Sequence, residues 1–163
     1  FQFMQWPSFN RGGWERLLKG HDGDVLERCP VLLGSDRDAG AIDATLDNAQ
    51  AAGVGGNIEV VRRTVSDLVV PSGKRGWVVT NPPYGVRVGG HAAGHEGGAS
   101  GGDLRDLYAR FGTVLRERAA GWHVAVLGGR DTPIVQMRLP LAPIFTFSNG
   151  GIEVAAHTGV VPA

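Results

Sequence analysis

Apolar residues alternate along the chain between short β-branched runs and stretches with helical spacing. Between residues 30 and 36, "PVLLGSD" is a brief apolar run closed by Gly34 and an acid, the pattern of a buried strand. The next stretch, 38–53, has Asp38 as a candidate N-cap, Ile42, Leu46 and Ala49 on one face, and Gly53 as terminator, which predicts a helix. "NIEVVRRTVSD" (57–67) returns to β-branched residues and again ends in an aspartate, and "GWVVTNPP" (76–83) is a third strand. Leu104, Leu107, Tyr108, Phe111, Val114 and Leu115 recur at three- and four-residue steps and mark the clearest helix. "WHVAVLGG" (122–129) reads as a fourth buried strand. "PIFTFSNGGIEVAA" (143–156) reads as a hairpin, with Asn149-Gly150 the favoured turn dipeptide. The aromatic opening, "FQFMQWPSFNRGGWERLLKG", carries a short helical pattern around Trp14, Leu17 and Leu18.

Strands and helices that alternate in this way predict an α/β fold with a parallel sheet, finished by an antiparallel hairpin. In such sheets ligands bind beyond the carboxyl ends of the strands. Three of the four early strands end there in a polar or acidic residue: Asp36, Asp67 and Asn81.

The third of these ends carries the strongest chemical signal. Pro82 and Pro83 cannot donate to a sheet ladder, so the strand must stop at "TNPPY". A bare Asn-Pro-Pro is most often a turn. Tyr84, and the position at a strand's carboxyl end, shift the weight towards a site. An exocyclic amine of a nucleobase needs two acceptors to orient its hydrogens and free its lone pair. The Asn81 side-chain oxygen and the Pro82 carbonyl supply both, the prolines fixing the carbonyl's direction. Tyr84 then stacks on the base, a contact worth roughly 1–3 kcal/mol.

"TNPPYGVRVG", preceded by "LLGSDRDAGAIDATLDNAQAAGV" and followed by "LRDLYARFGTVL", resembles the catalytic half of the THUMP-associated ribosomal RNA methyltransferases. The likeness runs from Phe1 to about Val154, with "FQFMQWPSF" and "SNGGIEV" matching as well. The tetrad is shared by many amino-methyltransferases and fixes reaction type; the flanking segments select this family. The resemblance implies a Rossmann-like class I methyltransferase sheet, mostly parallel with a C-terminal antiparallel hairpin. It implies methyl transfer from S-adenosylmethionine to guanine-N2 of 23S rRNA, with RNA as partner. Adenine-N6 methylation of DNA or RNA is the alternative chemistry, and a non-catalytic methyltransferase-like module the alternative class.

Carried over by position, Asp36 accepts the ribose hydroxyls of the cofactor, since two vicinal hydroxyls suit one bidentate acceptor. Asp38 is left to cap the helix. Arg37 flanks the adenine or is a solvated side chain. Asp67, after Ser66, accepts from the adenine amino group or opens an Asx turn. The family also carries, upstream of the segment matching Phe1, a first strand and a glycine loop of the type D-P-x-C-G-S-G-T. The 163 residues hold no such stretch. "GVGGN" (53–57) follows a helix and is a poor substitute. The expectation is therefore a partial methyltransferase domain over 1–163, its central first strand missing, that self-associates or pairs with the missing segment or a partner chain.

Composition adds limits. Lys and Arg number 16, as do Asp and Glu, so the basic excess usual in nucleic-acid binders is missing and much of any grip on RNA comes from elsewhere. Arg62, Arg63, Lys74, Arg75 and Arg87 are candidates for a small basic rim. No apolar run approaches the roughly 20 residues of a membrane span, and no signal peptide is visible. The lone Cys29 excludes an internal disulfide and reads as a buried thiol in a reducing, cytoplasmic setting. "GGHAAGHEGGASGG" (89–102) has almost nothing to bury and reads as a loop. Its His91, His95 and Glu96 have near-metal spacing, but the surrounding glycines fix no geometry, so no metal is expected. Trp6, Trp14, Trp77 and Trp122 read as packing residues.

Overall fold

The computed structural model describes residues 2–21, 29–73, 75–84, 101–149 and 151–163, and for residues 21 and 101–103 the backbone alone. Lys74, Arg87, His91, His95 and Glu96 lie outside the described residues, as does most of the glycine-rich stretch. The chain divides into two compact units, Phe1–Gly34 with Asp43–Val60, and Ser35–Ile42 with Val61–Ala163.

In the first unit a 3-10 turn, Gln2–Gln5, leads into helix α1 (Arg11–His21). Phe3 gathers the aromatic opening: its ring centroid lies 5.2 Å from that of Trp14, edge-on, and 5.8 Å from that of Phe9. Asn10 starts α1, its Oδ1 accepting from the Gly13 N–H at 2.8 Å. Strand β1 (Leu32–Asp36), helix α2 (Ala39–Ala51) and strand β2 (Ile58–Arg62) follow along the chain, each contributing residues to both units, with β1 pairing with β2 in a two-stranded sheet. As the pattern predicts, Asp38 caps α2, Oδ1 accepting from the Ala41 N–H at 2.9 Å. Gly53 ends it in a left-handed conformation, φ +73°.

The second unit holds strand β3 (Trp77–Thr80), helix α3 (Gly101–Arg118), strand β4 (His123–Gly129) and the hairpin of β5 (Ala142–Asn149) and β6 (Ile152–Val160). Their order is β3-β4-β6-β5; β3 and β4 are parallel, and the hairpin pairs antiparallel. The core forms where the apolar stripe of α3 (Leu104, Tyr108, Phe111 and Leu115) meets Val124 and Val126 of β4, Met137 and Val161. Met137 is in a 3-10 turn, Ile134–Met137, drawn tightly onto α3. Gly112 permits that approach, because a Cβ there would fall 1.9 Å from the Met137 carbonyl oxygen. Arg116 donates to the same oxygen at 2.6 Å.

The structure corrects several sequence expectations. The stretch 57–67 is not one strand: β2 ends at Arg62, and Val65–Asp67 forms a 3-10 turn. Local bonding outcompetes the ladder there, with Thr64 Oγ1 donating to Asp67 Oδ2 at 2.6 Å and the Asp67 N–H to the Thr64 carbonyl at 3.0 Å. Asn149 pairs with Ile152 and so belongs to β5 and not to the turn, while Gly150 lies outside the described residues. Cys29 is exposed, not buried. Trp6 and Trp77 are exposed, at 62% and 57%, and Leu46 stands out from the α2 face. Trp122 packs against the core and Trp14 is half-buried, as expected of packing residues.

Candidate functional site

Asp36, Arg37, Ser66, Asp67 and the tetrad all belong to the second unit. Asp36 is the last residue of β1, Asp67 closes the turn that follows β2, and Asn81 comes directly after β3. Each acid or amide is thus delivered by a strand's carboxyl end or the turn beyond it.

Asp36 is exposed. Its Oδ1 accepts from the Asp38 N–H at 2.9 Å, which fixes the carboxylate's direction, and its carbonyl accepts from the Arg63 N–H at 2.8 Å. Asp38 thus caps α2 through its side chain, and its backbone N–H orients the Asp36 carboxylate. Arg37 presents an exposed side chain, while its carbonyl accepts from Arg62 Nε at 2.9 Å. That bond orients Arg62, whose side chain stays exposed.

The Val65–Asp67 turn is pinned to α3. Arg110 Nε donates to Ser66 Oγ at 3.1 Å, and Arg118 donates to the Leu68 carbonyl at 2.8 Å. Neither arginine was singled out by the sequence pattern, and none could have been, because the partners stand 44 and 50 residues away. Asp67, exposed, holds Thr64 through Oδ2.

Strand β3 ends at Thr80, opposite Val126, where the prolines withdraw their N–H groups. The tetrad then folds on itself: the Tyr84 hydroxyl donates to Asn81 Oδ1. Behind it, the Tyr108 hydroxyl of α3 donates to the Pro83 carbonyl at 3.4 Å. Burial, with a smaller contribution from Tyr84, raises the Tyr108 hydroxyl well above the ordinary phenol range, so it remains a proton donor. Gly129, the last residue of β4, lies under Tyr84; a Cβ there would sit 3.6 Å from Tyr84 Cβ and 3.7 Å from Thr132 Oγ1. That Thr132 oxygen is buried without a hydrogen-bond partner among the described residues. Sequence reasoning missed both Tyr108 as a polar contact and Thr132.

The arrangement offers carboxylate acceptors at Asp36 and Asp67, and an amide, a rigid carbonyl and an aromatic ring at the tetrad. No hydrogen bond among the described residues joins the two acids to the tetrad. An open cleft of about 330 Å³ lies toward the amino ends of β1 and β2, lined in part by Cys29, Leu33 and Asn57. Among the described residues no three His, Cys, Asp or Glu side chains cluster as a metal site would require, and no helix is long and apolar enough to cross a membrane.

Comparison with known proteins gives this geometry a family. Residues 4–139 match the model of UPF0020, the RMKL-like methyltransferase domain. The ribosomal RNA large subunit methyltransferase K/L of Methylococcus capsulatus is 34% identical over 156 residues, covering 94% of this chain and 20% of that protein. The chain thus spans about a fifth of that relative's length. Among solved structures, a possible methylase from Clostridium difficile 630 superposes with a TM-score of 0.72 at 20% identity, covering 100% of this chain and 40% of that one. A predicted N6-adenine-specific DNA methylase from Listeria monocytogenes gives a TM-score of 0.55 at 25% identity, covering 76% of this chain and 29% of that one.

Proposed function

Because the chain belongs to the RMKL-like methyltransferase domain family, we propose that it carries the amine-binding part of an S-adenosylmethionine-dependent RNA methyltransferase. The finer target is guanine-N2 of 23S rRNA, in a cytoplasmic enzyme of rRNA processing. The observation that carries the reading is the Asn81-Pro82-Pro83-Tyr84 tetrad at the carboxyl end of β3, within the family-matched residues.

The donor set fits the cofactor. Ionised carboxylates are pure acceptors, and a nucleoside offers two vicinal hydroxyls and an amino group as donors. Asp36 would take the ribose hydroxyls and Asp67 the adenine amine, with Arg37 and Ser66 flanking them. S-adenosylmethionine supplies an electrophilic methyl group on a sulfonium sulfur. The chain's own work is to present the nucleophile. Asn81 Oδ1 and the Pro82 carbonyl would accept the two hydrogens of the target amine and so leave its lone pair free. Asn81 Oδ1 accepts from Tyr84 in the described state, so base entry exchanges that bond for one to the amine and frees Tyr84 to stack on the flipped base.

The test is Asn81→Ala in the gene product that carries these residues. Methyl transfer to rRNA is expected to fall by at least about 100-fold, the scale of losing a positioning contact, while S-adenosylhomocysteine binding by calorimetry persists. Retained turnover in that variant overturns the reading. Adenine-N6 chemistry is the second reading, favoured by the likeness to the Listeria methylase. Mass spectrometry of the product nucleosides separates N2-methylguanosine from N6-methyladenosine.

The partner reading follows from β3. One edge of β3 pairs with β4, and the other has no strand partner among the described residues. A strand from a further segment or a partner chain, bringing the glycine cradle for the methionine end of the cofactor, would fill it.

A further inference from the structure

We infer that Tyr108 is a positioning residue for this site: its buried hydroxyl holds the Pro83 carbonyl and thereby aims the Tyr84 ring. The inference rests on the proposed role of the tetrad and extends it to a residue outside that motif.

A residue has two soft backbone torsions. At Pro83 the pyrrolidine ring locks φ, so ψ alone decides where the carbonyl and the next residue point. The Tyr108 hydroxyl, 3.4 Å from that carbonyl, sets ψ from behind. Tyr108 itself has little freedom. It is 1% exposed, in the α3 stripe between Leu104 and Phe111, and contributes to the core that includes Val124 and Val126. A phenylalanine would fill the same volume, so packing does not explain the oxygen. The contact is long for an O–H to O bond, which makes its contribution directional more than energetic. Desolvation keeps the hydroxyl protonated, so it remains a donor across the working pH range. On the other side, Tyr84 packs near the end of β4, its Cβ 3.6 Å from the place a Gly129 Cβ would take, an ordinary van der Waals distance. The tetrad's aromatic residue is thus set by α3 through Pro83.

The experiment compares Tyr108→Phe with wild type and with Asn81→Ala in the gene product that carries this chain. Tyr108→Phe is expected to lower kcat about tenfold through a loosened Tyr84, with S-adenosylhomocysteine affinity and melting temperature unchanged. Wild-type kcat in Tyr108→Phe, with Asn81→Ala inactive, overturns the inference alone. A fall in kcat matched by an equal loss of melting temperature and cofactor affinity also overturns it, since a purely structural hydroxyl would behave so. Turnover retained in Asn81→Ala overturns the reading of the tetrad on which the inference stands.

Discussion

A methyl group added to Gly112 would meet the Met137 carbonyl oxygen at 1.9 Å, a distance no side chain tolerates. The obstacle is backbone, held further by Arg116, so α3 and the Ile134–Met137 turn must separate. Gly112→Ala is therefore expected to destabilise the fold by about 3 kcal/mol, against the helix-propensity gain of about 1 kcal/mol that alanine brings to an exposed position. A denaturant melt of the variant checks this, and an unchanged or raised midpoint would show that the turn does not sit against α3. Nothing in the sequence separates Gly112 from the other glycines, because its constraint comes from a residue 25 positions away. The tetrad is the opposite case. Pro82, Pro83 and Asn81 announce themselves because their consequences, a missing N–H and a fixed φ, are local. The bonds from Tyr84 to Asn81 and from Tyr108 to Pro83 depend on rotamers and on a helix far along the chain, and were not legible.

The turn between β1 and α2 separates two aspartates by function. Asp38 caps the helix with its side chain, and its N–H holds Asp36 Oδ1. Asp38→Ala deletes the cap but keeps that N–H. It is expected to cost about 1 kcal/mol of stability and leave cofactor affinity near wild type. Asp36→Ala is expected to do the reverse, with stability nearly unchanged and cofactor affinity lowered about tenfold or more, as for loss of hydrogen bonds to a charged group. Paired melts and calorimetry read both effects. Loss of stability in Asp36→Ala with affinity intact would assign Asp36 to the turn alone. Most elements were legible because their signals lie within a few residues: the Asp38 cap, the Gly53 stop and the α3 stripe all appear where expected. The second strand was read too long, since β-branched Val61, Thr64 and Val65 suggest extension while Thr64 and Asp67 close a turn.

The described sheets carry apolar residues where partners would be expected. On β3, Val79 is 74% exposed and Trp77 57%, and one edge of this uncharged strand has no strand partner among the described residues. Val31, Leu32 and Leu33 at the start of β1 are exposed as well, as are Ile144 and Phe145 on β5. Edge strands of this composition are templates for pairing, and a net charge of zero supplies no repulsion against it. The α/β class and the closing hairpin could be read from periodicity, but exposure could not: "WVVT" reads as a buried strand, and only the topology leaves it at an edge. The 163-residue chain by itself is expected to self-associate at micromolar concentration, seen as species larger than a monomer in sedimentation velocity. Val79→Lys, a charge on that strand, is expected to shift the distribution towards monomer. Co-expression with a segment that supplies a β3-pairing strand should do the same without any substitution. A monodisperse, cooperatively melting monomer of the unmodified chain would show that β3 needs no partner, and the proposed supply of a strand and glycine cradle from elsewhere would then fall.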